Sequence, residues 1–241
     1  MAKRRSSEVP GEFGEPFLRW LGAATEEAWS REEEPTLADY EAWGVGGSHW
    51  RRGTRWTGGL SDAELAQIER RFAVRFPADH RPFLQLLHAT EPWMGGAGFA
   101  ADDRLVPREE PGFYHWQRDE AAIQAALAEV LDGLVFDVEA NALWRDSWGP
   151  RPGEADQRRA RVAALVAGAP RLLPIYGHRH VLAEGPTLVL SVWQSDIIVY
   201  GHDLRDYLLA ELHGFVGVEY ERSATDFDAV AAIPFWGELI G

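Results

Sequence analysis

The sequence predicts an α/β fold with a helical, tryptophan-rich N-terminal extension, and three observations carry that prediction. A helix start is spelled out at Ser61-Asp-Ala-Glu64, a cluster of β-rich runs lies between Leu172 and Tyr200, and a capped amphipathic segment follows from Asp203 to Leu212. The chain has 241 residues and is 46% hydrophobic, enough for a continuous core without external staples. Cysteine is absent, which excludes disulfides, thiolate metal sites, Fe–S clusters and cysteine nucleophiles and suits a reducing compartment.

Taken in order, residues 1–16 place Pro10, Gly11, Gly14 and Pro16 among charges and read as a loose leader. The basic run Lys3-Arg4-Arg5 has no apolar stretch behind it, so no secretory signal is expected. Phe17, Leu18, Trp20, Leu21, Ala24, Ala28 and Trp29 then recur at helical spacing. A break at Glu32-Glu33-Glu34-Pro35 and a short segment through Tyr40 and Trp43 follow, and a glycine-rich stretch over 44–59 reads as a linker or ordered loop. Residues 1–58 are thus an extension, with the main domain over 59–241.

At Ser61 the hydroxyl and the Glu64 carboxylate can satisfy first-turn amides reciprocally, and Leu65, Ile68 and Phe72 give the buried stripe of a helix. A second helix starts near Asp79, which leaves Pro82 inside the first turn where its missing N–H costs little. Residues 91–111 read as a long loop with short strands, with Trp93-Met-Gly-Gly-Ala-Gly98 as its most flexible part. A helix is expected over 119–131, a strand at Leu134-Val-Phe-Asp-Val138, a short aromatic helix from Asn141 to Trp148, and a further helix over 158–166. Strands follow at Leu172–Tyr176, Thr187–Trp193 and Asp196–Tyr200, then the helix capped by Asp203, and one more helix from Asp226 to Ile233.

Two blocks resemble the SUKH superfamily, the Smi/Knr-type domain of fungal cell-wall-synthesis regulators and bacterial immunity proteins. The first is Leu60 to Leu84, with its helix, its Phe76-Pro77 corner and a second helix. The second comprises Leu173-Pro-Ile-Tyr-Gly-His-Arg-His180, Val189-Leu-Ser-Val-Trp-Gln-Ser-Asp-Ile-Ile-Val-Tyr-Gly201 and Asp203 to Leu208. The likeness covers roughly 59–212, with a poorly matching middle. It implies a mixed, mainly antiparallel central sheet flanked by helices, no known catalytic activity and, as in bacterial members, neutralisation of a toxin by direct binding; no cofactor is expected.

Acidic residues number 38 against 24 basic, a net charge of −14. That balance disfavours nucleic acid, whose phosphates need a positive face, and favours a basic protein partner such as a nuclease toxin, although an acidic surface also serves solubility alone. No run of ~18 apolar residues occurs, so no membrane span is expected and the chain reads as cytoplasmic.

The expected contact surface is Tyr176, His178, Arg179, His180, Trp193, Asp196 and Tyr200, with Asp102 and Asp103 as an acidic rim. An alternative reading is a metal-dependent hydrolase, because His178 and His180 on a strand would share a face; no spacing fixes a third ligand, so no metal is assigned. A third is an intracellular regulatory scaffold. No Gly-x-Ser-x-Gly elbow or Walker loop is present. Adjacent acids such as Asp102-Asp103 and Glu109-Glu110 are ordinary solvated loop residues unless the fold faces them across a cleft. The eleven tryptophans serve either as core fillers or as binding anchors, and Trp50-Arg-Arg-Gly-Thr-Arg-Trp56 suits packing of arginine on indole.

Overall fold

In the computed structural model residues 9–241 are described; Lys3-Arg4-Arg5 and the first half of the leader lie outside them. The fold is mixed α/β, with eight α-helices and antiparallel sheets among the described residues. The chain forms two compact units. The first comprises the described residues up to Ala73, His80–Glu120 and Glu211–Tyr220; the second comprises Val74–Asp79, Ala121–Ala210 and Glu221–Gly241.

In the first unit, α1 (Glu15–Trp29) begins with Pro16 in its first turn and buries Phe17, Leu18, Leu21 and Trp29. Thr36 caps α2 (Leu37–Trp43) through a reciprocal box with Asp39. The glycine-rich stretch that follows contributes β1 (Gly47–His49) and β2 (Arg55–Trp56), so residues 9–58 supply strands as well as helices. Trp29 packs at a tilt against Trp50 at 4.8 Å and against Trp56 at 5.7 Å between ring centres, and Phe113 meets Trp56 at 4.9 Å. Buried Thr25 accepts the Trp56 indole N–H at 2.9 Å, which satisfies a polar atom inside this aromatic cluster. Arg51 pairs with Glu109 and the Arg52 Nε donates to the Glu32 carbonyl at 2.9 Å, so these arginines serve polar partners.

The capping box at Ser61 opens α3 (Asp62–Phe72) as expected, with Glu64 Oε2 accepting from the Ser61 amide at 2.8 Å. Helix α4 (His80–Leu86) holds Pro82 in its first turn. The segment expected to be most flexible is instead ordered: β3 (Thr90–Glu91) pairs with β2, and β4 (Met94–Phe99) is the centre of a sheet ordered β1-β4-β5, where β5 is Leu105–Glu110. Its glycines are there for closeness, since a Cβ on Gly96 would meet the Gly47 carbonyl oxygen at 2.2 Å.

The second unit corrects the reading of 119–138. One continuous helix, α5 (Glu120–Ala140), replaces the expected helix and strand, with Ile123, Val130, Leu134 and Val138 buried at helical spacing. A 3-10 turn over Asp146–Trp148 stands where a short aromatic helix is expected, and α6 (Ala155–Ala167) follows. A four-stranded antiparallel meander then runs through β6 (Leu172–Tyr176), β7 (Arg179–Leu182), β8 (Val189–Trp193) and β9 (Asp196–Gly201). Strand β7 is an addition to the three expected. Helix α7 (Leu204–Val216) starts at Asp203, whose side chain accepts from the Asp206 amide at 2.7 Å, and Asp226 caps α8 (Phe227–Ala231).

One face of the meander carries Leu172, Leu182, Leu190, Val192, Ile197 and Val199 into a core with Leu134, Val138, Trp148, Val162 and Trp236. The C-terminal end covers the edge strand: Ile240 bridges Ile197, and the Gly241 amide donates to the Ile197 carbonyl at 3.1 Å. Gly201 lets α7 approach β9, because a Cβ there would lie 2.5 Å from that of Tyr207. No helix among the described residues is long and apolar enough to cross a membrane.

Candidate functional site

Strand alternation in the meander sorts the expected site residues onto two faces and one end. The short turns between β6 and β7 and between β8 and β9 fall at the same end of the sheet, because the strands run antiparallel in sequence order. Gly177 (φ 50°) and Gln194 (φ 55°) take the left-handed backbone these turns require. The second turn is held from α5: Asp137 accepts from the Ser195 amide at 2.8 Å and from its hydroxyl, and the Asn141 amide donates to the other carboxylate oxygen at 2.6 Å. Helix and turn come close at Gly133, where a Cβ would sit 2.9 Å from the Gln194 Cα.

Arg179, Ser191 and Ile198 form one lateral row across β7, β8 and β9, with Tyr176 paired to Arg179 at the sheet edge. The Arg179 guanidinium donates to the Ser191 hydroxyl at 2.9 Å and lies 3.7 Å from the Tyr200 ring centre; Arg222 approaches the same ring at 4.9 Å. Three of the expected residues, Tyr176, Arg179 and Tyr200, thus share a cationic aromatic patch. At the turn end, Trp193 is 59% exposed and meets the His178 ring edge-on at 6.0 Å; His178 also contacts the Arg179 guanidinium. Asp196 is exposed at the start of β9, directly across from Trp193. Asp102 and Asp103 belong to the first unit, in the exposed turn between β4 and β5, where Asp102 accepts from the Arg104 amide at 3.3 Å.

The expectation of two histidines side by side on one strand needs correcting. His178 lies in the turn before β7, so alternation does not govern it, and it is exposed. His180 is on β7 in the row of Leu190 and Val199, 3% exposed, with burial pushing its imidazole down to about 4. Its Nδ1 lies 3.3 Å from the His178 carbonyl, while Nε2 has no hydrogen bond. Both rings border a cavity of about 110 Å³ between α5 and the turn end, with Ala126, Val130 and Val192 as apolar walls and Glu129 at the rim. Among the described residues no three histidine, aspartate or glutamate side chains converge as a metal-holding group.

A second polar cluster, in the first unit, is absent from the sequence reading. The His88 and His115 rings lie 4.4 Å apart, both shifted down, first by burial, with His88 at about 3. Their atoms hold the loop after β5: His88 Nε2 accepts from the Trp116 amide at 3.1 Å, and Asp119 accepts from the His115 amide at 2.8 Å and the Trp93 indole at 3.3 Å. Every one of these bonds fixes backbone or indole, so the cluster positions the loop. The tryptophans divide likewise: Trp29, Trp50, Trp56, Trp116, Trp148 and Trp236 are buried, while Trp43, Trp93 and Trp193 are exposed. No family model, curated protein or solved structure matches the chain.

Proposed function

We propose that the chain is a non-enzymatic protein-binding module of the immunity type, which neutralises a basic toxin domain in the cytoplasm by direct contact with the turn end of the second unit's sheet. The observation that carries this reading is the indole of Trp193, 59% exposed against the His178 ring and beside the patch of Arg179 and Tyr200. Tryptophan, tyrosine and arginine are the residue types that dominate binding energy at protein interfaces. Leaving a large indole in water has a hydrophobic cost that covering it removes. The net charge of −14 supports a basic partner by steering encounter, while the local patch fixes the docked pose.

The test is capture of a partner by the tagged full chain, co-expressed with the product of the adjacent gene. Wild type should retain a stoichiometric partner and relieve its toxicity. Trp193→Ala should weaken binding by ~2 kcal/mol or more, roughly thirtyfold, with unchanged circular dichroism. Capture by Trp193→Ala and Arg179→Ala equal to wild type would remove this surface from consideration, and a chain that retains no partner at all would sink the binding reading.

A further inference from the structure

We propose that the cavity between α5 and the turn end of the sheet seats a lysine side chain of the protein partner, with its ammonium on His180 and Glu129 and its alkyl stem along Trp193. The inference rests on the protein-binding reading above and names the group that this surface receives.

The cavity floor asks for a hydrogen-bond donor. His180 Nδ1 lies 3.3 Å from the carbonyl of His178, and the Ala126 carbonyl is a second acceptor for the ring; a neutral imidazole has one N–H to give, so one ring nitrogen presents a lone pair in either tautomer. That lone pair has no hydrogen bond, although the residue is 3% exposed. A buried acceptor without a donor is a cost that an incoming N–H or O–H relieves. Burial keeps the imidazole neutral at physiological pH, so it does not repel a cation.

The rim selects charge. Glu129 is exposed at the mouth and forms no ion pair among the described residues, so its carboxylate complements a cation at the edge of a low-dielectric cavity. Trp193 offers an indole face to a cation and its methylenes, while Ala126, Val130 and Val192 offer only apolar contact. About 110 Å³ suits an unbranched alkyl stem ending in a compact ammonium, and that group donates in three directions. The acidity of the whole chain points to a basic partner, for which lysine is an abundant surface residue.

The experiment titrates the full chain with Nα-acetyl-lysine N-methylamide and with its Nε-acetylated counterpart, following the ¹⁵N resonances of the His180 ring and the Trp193 indole. The charged compound should shift both saturably, and the Nε-acetylated compound should bind about tenfold more weakly, the size of one charge-assisted hydrogen bond. His180→Phe should abolish the response. Because that change is in the core, Glu129→Gln at the exposed rim provides a second variant, again about tenfold weaker. Equal binding of the two compounds, no shift at His180, or wild-type binding by Glu129→Gln overturns the lysine seat. These titrations contain no partner: if they fail while Trp193→Ala still loses the partner, the seat falls and the binding surface stands. If the compound binds but the chain captures no protein, the assignment to a partner's lysine falls.

Discussion

Asp137 shows how much one side chain can decide and how little of it is local. It is 5% exposed, and burial pushes its carboxyl up, yet the hydroxyl and amide of Ser195 and the amide of Asn141 outweigh burial and hold it below the ordinary value. A carboxylate favoured in the folded state adds stability above its unfolded pKa of ~3.9, and that contribution is lost as pH falls through the lower folded value. Asp137→Ala should therefore cost about 2–3 kcal/mol in urea unfolding at pH 7, since it orphans the turn's amide and hydroxyl. The gap to wild type should narrow below about pH 4; an equal gap at pH 7 and pH 3 would remove the carboxylate from the account. Sequence spacing does not reveal this residue, because its partner lies 58 positions away and Val135-Phe-Asp-Val138 alternates as a strand would. Tyr176 and Tyr200 sit on strands that the sequence marks, whereas Arg179 falls on β7, whose place beside them comes from its pairing with β6 and β8.

At the level of elements, the local signals hold and the packing-dependent ones do not. The Ser61–Glu64 box is complete within four residues and opens α3 where it is written. Helix α5 runs through Gly133, between the helix expected to end at 131 and the strand expected from Leu134, and the turn at Gln194 packs where that glycine has no side chain. Strand β7 escapes because its four residues follow so closely on β6. Two glycine substitutions test this account together. Alanine in a helix interior gains ~0.5–1 kcal/mol over glycine where there is room. Gly214→Ala in α7 meets nothing within 4 Å and should stabilise by about that amount. Gly133→Ala meets backbone at 2.9 Å and should destabilise despite the same propensity gain. Thermal unfolding of both variants measures the contrast; a gain in both would mean that α5 and the turn have slack.

For the molecule as a whole, the α/β class follows from the order of helix and strand signals, while the division into two units does not. Each unit gathers distant segments, which only tertiary packing reveals. The units nevertheless share one property, buried neutral histidine. His80 and His88 in the first unit are 1% and 2% exposed, and His180 in the second is 3% exposed. Burial pushes His80 and His88 down to about 3 and His180 down to about 4, from an ordinary 6.5. The unfolded chain binds protons as pH drops below 6.5 while the folded chain does not, so stability is complete above that value and declines towards the folded pKa values. Each such histidine contributes a slope of about 1.4 kcal/mol per pH unit within that window. The first unit, with two of them and with His115 and His49 also held below the ordinary value, should lose stability from pH 6.5 to pH 5 at least twice as steeply as the second. Hydrogen exchange at core amides, Leu65 and Ile68 in one unit and Leu190 and Val199 in the other, reads the two slopes separately. His180→Phe should flatten the second unit's decline and leave that of the first unchanged, because the substituted ring takes up no proton in either state. Protection that stays level from pH 7 to pH 5 would mean that these imidazoles are not held neutral by burial.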